Sequence, residues 1–168
     1  MTKTTSSNNN GKKDNNNKNS YQHEGETQKR EPSAATYRIL LVDDDSDILL
    51  TFKEGLEEEH DVDKSKIFDG AKKIQVDTFA DPKKALSSFK AGVYDLLLLD
   101  IRMPDMNGFE LYEELKKIDD KPKVCFITAY ELYYEALKKD FPKLDVGCFI
   151  KKPISIEDLA TKISEELA

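Results

Sequence analysis

The chain is short of several things, and each shortage closes off a class of function. No apolar run is long enough to span a bilayer, and no apolar segment opens the sequence as a secretory signal would. Residues 1–33 hold almost no aliphatic side chains and are mostly Asn, Lys, Ser and Thr, with Asn8-Asn9-Asn10 and Asn15-Asn16-Asn17 among them. Such a stretch buries too little apolar surface to offset the entropy of ordering it. It is expected to be a disordered tail, which leaves residues 34–168 as one folded domain. Positive charge is not in excess either. The first 31 residues carry six Lys/Arg and four Asp/Glu, leaving 20 against 29, a net −9, on the remainder. That balance argues against a nucleic-acid-binding surface. Cysteine is scarce: Cys125 and Cys148 lie in apolar strand contexts without a recognisable spacing pattern. They are expected to be buried, reduced thiols of a cytoplasmic protein.

What the chain does have is alternation. Leu96-Leu97-Leu98-Leu99 is a continuous apolar run that stops at Asp100, then enters a loop containing Pro104, Asn107 and Gly108. Runs apolar on every residue belong to strands covered by helices on both faces. Arg38–Val42, Val124–Ile127 and Gly147–Ile150 read in the same way, and Lys73–Phe79 alternates like a strand nearer a sheet edge. Helical spacing links them. Ile48, Leu49, Phe52 and Leu56 follow a cap at Asp45 or Ser46; Asp81-Pro82 starts a second helix that Gly92 should stop. Residues 108–118 and 131–139 supply two more, and Ser155 with Asp158 caps the last, whose face is Ile156, Leu159 and Ile163. Residues 60–72 read as a loop. Five strands and five helices in strict alternation predict an α/β flavodoxin-like doubly wound fold, a five-stranded parallel sheet of order 2-1-3-4-5.

In such sheets, ligands bind at the carboxyl ends of the strands, beside the point where the strand order reverses. Gathered there are Asp43 and Asp44, Asp100, Thr128 and Lys152. Clustered carboxylates repel unless a proton or cation intervenes, and a hard divalent ion such as Mg²⁺ suits oxygen ligands. Lys152 and Thr128 would offer a charge and a hydroxyl to an arriving phosphoryl group, and Asp100 is a carboxylate nucleophile of the aspartyl-phosphate kind.

At this point four motifs in order, Leu41-Val42-Asp43-Asp44-Asp45, Leu99-Asp100-Ile101-Arg102-Met103-Pro104-Asp105-Met106-Asn107-Gly108, Ile127-Thr128-Ala129 and Lys152-Pro153, resemble a response-regulator receiver domain of two-component signalling. The single-domain, chemotaxis-regulator-like type is the nearest match. The resemblance covers Tyr37 to the C-terminus. It implies that Asp100 accepts the phosphoryl group, that Asp43, Asp44, Asp100 and the Arg102 backbone carbonyl hold Mg²⁺, and that Thr128 and Lys152 bind the phosphoryl oxygens. Phe149 takes the place of the family's switch aromatic, paired with Thr128, and the Lys152-Pro153 bond is expected to be cis. The donor is expected to be a histidine kinase on another protein, since neither His23 nor His60 has kinase-like surroundings. Output is expected through a protein target on the face from Glu131 onward, with neither DNA nor membrane involved. On this reading the chain is a signalling protein that catalyses its own phosphotransfer and slow hydrolysis, not an enzyme.

Plainer readings stand beside these. Asp45 and Asp47 suit a helix start, Asp105 a loop, Lys151 solvent and Phe149 simple core packing. Asp43, Asp45, Asp47 and Glu54 have calcium-loop spacing, but Ile48 occupies the turn position that needs glycine. The competing class is a receiver-like interaction module that is never phosphorylated. Two stretches depart from the family pattern: the long one around residues 60–70, and residues 140–146 with Phe141-Pro142.

Overall fold

The computed structural model describes residues 36–58, 73–129 and 148–168. The expectations for the tail, for residues 60–72, for the helix at 131–139 and for residues 140–146 lie outside them. Nine elements are present among the described residues: β1 Thr36–Val42, α1 Ser46–Glu57, β2 Lys73–Phe79, α2 Pro82–Ser88, β3 Leu96–Asp100, α3 Gly108–Ile118, β4 Lys123–Thr128, β5 Cys148–Lys151 and α4 Ile156–Leu167. The strands form one parallel sheet in the order β2-β1-β3-β4-β5, as the alternation predicts.

Strand periodicity divides the apolar residues between two cores. Ile39, Leu41, Leu96, Leu98, Cys125, Ile127, Cys148 and Ile150 meet Leu49, Phe52 and Leu56 of α1 and Leu159, Ala160 and Ile163 of α4. On the other face Leu40, Val42, Leu97, Leu99, Val124 and Phe126 meet Ala85 of α2 and Phe109, Leu111 and Leu115 of α3. All four leucines of β3 are therefore buried, two on each side. Each such side chain stabilises the fold by about 1.5–3 kcal/mol. The edge position of β2 is managed from α1: the Lys53 ammonium donates to the Val76 carbonyl (2.6 Å), and the Val76 N–H donates to the Glu57 carboxylate (2.7 Å). Side chains thus occupy hydrogen-bonding groups that an edge strand leaves open.

Two expectations are corrected here. Helix α2 ends at Ser88, four residues before Gly92. Phe89 leaves the helical path to bury its ring in a stack with Tyr94 (centroids 5.5 Å apart), and Gly92 sits beyond it at φ 73°, its N–H on the Asp119 carboxylate (2.7 Å). Cys125 and Cys148 are not free thiols but a disulfide. They are direct partners across β4 and β5, with Cα atoms 4.6 Å apart, inside the range a disulfide spans.

Helices α1 and α4 come close at Gly55 of α1. A Cβ there would lie 2.7 Å from the Cδ1 and Cγ1 atoms of Ile156 at the start of α4. The helical propensity gained in Gly55→Ala, about 1 kcal/mol, is opposed by an overpacking cost of about 1–3 kcal/mol. Urea unfolding should show a net loss of about 1 kcal/mol. Adding Ile156→Ala should then cost less in the Gly55→Ala background than in the wild type, a positive coupling that additive effects would not produce.

Candidate functional site

The site begins with two turns of the same design. Strand β1 ends at Val42, and the N–H of Asp43 donates to the Phe79 carbonyl of β2. The Asp43 carboxylate then accepts the N–H of Asp45 on Oδ1 (3.0 Å). At the end of β3, the Asp100 carboxylate accepts the N–H of Arg102 on Oδ2 (2.7 Å). In both, an aspartate bonds the backbone two residues on, a local alternative to the strand ladder that turns the chain out of the sheet. Each turn leaves one carboxylate oxygen free to face inward. Asp43 Oδ2 and Asp100 Oδ1 both receive Lys152 Nζ, at 2.5 and 2.7 Å.

The lysine arrives from the far end of the chain. Lys152 follows β5, its N–H bonds the carbonyl of Thr128 at the end of β4 (2.8 Å), and the Lys152-Pro153 peptide is cis, as expected. The side chains of Asp43, Asp100 and Lys152 are 2, 8 and 15 % exposed. Asp44 is exposed at the rim, yet one of its carboxylate oxygens lies within 4.8 Å of one from each of Asp43 and Asp100. Three ionised carboxylates and one ammonium leave a charge of −2, which a divalent cation would balance. Hard oxygen donors at this spacing suit Mg²⁺.

Burial pushes the Asp100 carboxyl above the usual aspartate range; the Lys152 ammonium and the Arg102 N–H pull it back only in part, and the neighbouring Asp43 charge adds to the rise. Burial also opposes the charge on Lys152, but the hydrogen bonds to Asp100 and Asp43 outweigh it and hold its pKa above the ordinary lysine value. The ammonium is thus firmly charged, while the ionised form of Asp100 is short of compensation.

The plainer readings fare well at the margin. Asp45 is the cap of α1, accepting the N–H groups of Asp47 and Ile48, which commits one of its oxygens to the helix. Asp105 is a loop residue at φ 67°, ion-paired at the surface to Lys83 (3.2 Å). Lys151 is exposed, and only Lys152 turns inward. Thr128 is buried at the end of β4, opposite Lys151 in register. The Phe149 ring is half-buried against Phe126 and Phe109, with centroids 5.8 and 6.5 Å away, on the face of the sheet opposite the disulfide. His23, His60 and residues 131–147 of the face from Glu131 onward lie outside the described residues.

Sequence reasoning passed over one supporting feature. The Asn107 side chain accepts from Phe109 and Glu110 N–H while the Glu110 carboxylate accepts the Asn107 N–H, a full capping box at the start of α3. The spacing Asn-x-x-Glu was the available signal. By contrast, the Ser155 cap of α4 accepts from the Asp158 N–H but returns its own hydroxyl to the Asp158 carboxylate.

Comparison with known proteins agrees with this architecture. The family model for the response regulator receiver domain matches residues 39–164. The transcriptional regulatory protein SpaR of Bacillus subtilis is 33% identical over 133 residues, 77% of this chain and 51% of that protein. The chain spans about half the length of such curated relatives. Among solved structures, a CheY-like receiver domain protein from Methanospirillum hungatei JF-1 is 30% identical with a TM-score of 0.62, covering 79% of this chain and 94% of that one. The response regulator TrrA of Thermotoga maritima, solved in complex with Mg²⁺-BeF, is also 30% identical, with a TM-score of 0.60 and coverage of 79% and 99%.

Proposed function

The chain belongs to the response-regulator receiver family, and from that premise we propose that it takes a phosphoryl group from the phosphohistidine of a sensor kinase onto Asp100. The observation that carries this reading is the convergence of the buried Asp43 and Asp100 on a single half-buried ammonium. Asp100 Oδ2 stays on the Arg102 N–H, which fixes the carboxylate plane and leaves Oδ1 to attack phosphorus. The P–N bond to the donor breaks as the O–P bond forms, and the electron pair leaves with the imidazole. Lys152 passes from the carboxylate oxygen to a phosphoryl oxygen as charge moves there, and the Thr128 hydroxyl donates to another. Asp43, Asp44, Asp100 and the Arg102 carbonyl would hold Mg²⁺. The ion would supply charge neutralisation for the ionised carboxylates and the phosphoryl oxygens. Hydrolysis of the acyl phosphate resets the site.

The signal would leave by population shift. When the Thr128 hydroxyl is drawn to the phosphoryl group, the Phe149 ring has room to move inward, and the surface from Glu131 onward is read by a protein target. Nothing here calls for nucleic acid or membrane: the folded part is acidic, and no helix among the described residues is long and apolar enough to cross a bilayer. A cytoplasmic location completes the reading.

The test is intact mass after incubation with acetyl phosphate, with and without Mg²⁺. Wild type should gain one phosphoryl group, only with Mg²⁺, and Asp100→Asn should gain none. Absence of an adduct in the wild type, from both acetyl phosphate and a phosphorylated kinase domain, would leave a receiver fold kept for binding alone.

A further inference from the structure

The Cys125–Cys148 bond belongs to no part of the phosphoryl site, yet it joins the two strands that hold half of that site. Counting along the chain, Thr128 ends β4 three residues after Cys125, and Lys152 follows the end of β5 four residues after Cys148. The register Cys125↔Cys148 continues to Thr128↔Lys151, and the Lys152 N–H then bonds the Thr128 carbonyl (2.8 Å). Strand β5 is the last of the sheet and is hydrogen-bonded only to β4 among the described strands. The disulfide is therefore the covalent part of an otherwise one-sided attachment of the element that delivers Lys152.

We propose that Cys125 and Cys148 form a reversible thiol–disulfide site, exchanging with small thiols and disulfides of the glutathione class, whose oxidation state sets how firmly β5 holds Lys152 against Thr128. The consequence for phosphorylation rests on the phosphoacceptor reading above; the site itself does not. In reduction, an external thiolate attacks the sulfur of Cys148, which lies on the edge strand and retains 5% exposure against none for Cys125. The S–S bond breaks as the mixed disulfide forms, and Cys125 leaves as a thiolate that takes a proton. A second external thiolate then attacks its partner sulfur in the mixed disulfide, and Cys148 leaves and is protonated. Two electrons and two protons have entered the protein, and one external disulfide has formed. Burial and the Glu166 carboxylate, an oxygen of which lies within 4.8 Å of both sulfurs, disfavour thiolates in the closed fold. Exchange therefore proceeds through local opening of the edge strand. If the cytoplasmic reading above holds, a disulfide in that reducing compartment is of the labile, regulatory kind.

The experiment equilibrates the full chain in glutathione buffers from reducing to oxidising, with a chelator present to exclude soft metals. It is quenched in acid, alkylated under denaturing conditions and weighed. No alkyl groups are expected in oxidising buffer and two in reducing buffer, with full return when the buffer is switched back. Amide exchange at Lys152 is then followed in both states, at a pH where the chain is folded in each. It should be at least about tenfold faster in the dithiol, because the hydrogen bond to Thr128 opens with the freed strand. Cys148→Ala, and separately Cys125→Ala with Cys148→Ala, should exchange like the dithiol and ignore the buffer. A pair that stays bonded in reducing buffer overturns the proposal, and so does equal protection of Lys152 in both states. A protein that passes both tests and takes no phosphoryl group would fail the reading of Asp100 instead.

Discussion

Lys152→Ala is expected to lose about 3–5 kcal/mol of stability at neutral pH in the absence of divalent cations, and to recover much of it when Mg²⁺ is added. Removing one partner of a buried ionic cluster costs more than the cluster contributes, because the remaining charges stay buried without compensation. Here those charges are two carboxylates, each holding a backbone N–H on its outer oxygen and left with nothing on its inner one. The dependence on pH has a definite sign. Without the ammonium, Asp100, whose carboxyl burial already pushes up while Lys152 is present, holds its proton more tightly in the folded than in the unfolded chain. The deficit should therefore be small in acid and grow as pH rises from the ordinary aspartate value to the raised folded-state value of Asp100. Mg²⁺ reverses it by binding the folded state alone, a gain of about 2.7 kcal/mol at one hundred times its Kd. Added Mg²⁺ should raise the urea midpoint in both proteins, and the deficit of the variant should shrink if the ion takes over the neutralising role. Phosphorylation from acetyl phosphate should nonetheless stay about 10²-fold slow, since no group replaces the ammonium at the phosphoryl oxygens. Equal stability of variant and wild type at neutral pH without Mg²⁺ would show that the carboxylates are not held against their own repulsion.

Much of this arrangement was legible before any coordinates. Leu40-Leu41-Val42, the leucines of β3 and Val124–Ile127 are apolar on every residue, and a strand so composed has to be covered on both faces. That places them in the middle of a parallel sheet and sends β2 to the edge. The residues at their ends, Asp43, Asp100 and Lys152, then converge by topology alone. Other features depend on information that periodicity does not carry. The disulfide needs Cys125 and Cys148, 23 residues apart, to be direct partners, and a slip of one residue would send one of them to the opposite face. Helix α2 stops early because the Phe89 ring finds Tyr94, a contact between segments and not a property of either. The grip of Lys53 and Glu57 on Val76 likewise exists only once α1 lies along β2. The sharing of one ammonium between Asp43 and Asp100 belongs to the same class: sequence brings the three residues to one edge, and only the two i to i+2 turns decide which oxygens face inward.

Gly108→Ala should be among the most damaging small substitutions in the chain, and the reason connects α3 to the site. Gly108 is the first residue of α3, where alanine would raise helix propensity by about 1 kcal/mol. Its N–H donates to the Ile101 carbonyl (3.1 Å), which draws the helix start onto the segment leaving β3. A Cβ at this position would stand 2.2 Å from the Asp100 carbonyl oxygen, 3.1 Å from its carbon and 3.3 Å from the Ile101 Cα. All three are backbone atoms, so no side chain can rotate aside; either α3 lifts off or the peptide after Asp100 turns. Lifting α3 would loosen Phe109, which stacks on Phe126 at 4.2 Å; turning the peptide would shift Arg102, whose N–H orients the Asp100 carboxylate. A net loss of about 3 kcal/mol is expected in urea unfolding, at the upper end for a single added methyl group. The rate of phosphoryl uptake should fall about tenfold or more, since displacement of a reacting group by as little as 1 Å carries penalties of that size. Gly92→Ala is the control. Nothing lies within 4 Å of a Cβ at that position, and its cost comes only from a φ of 73° that an L-residue resists, about 1 kcal/mol with phosphorylation unchanged. If the two variants matched in both stability and rate, the close approach of α3 to Asp100 would have no part in shaping the site.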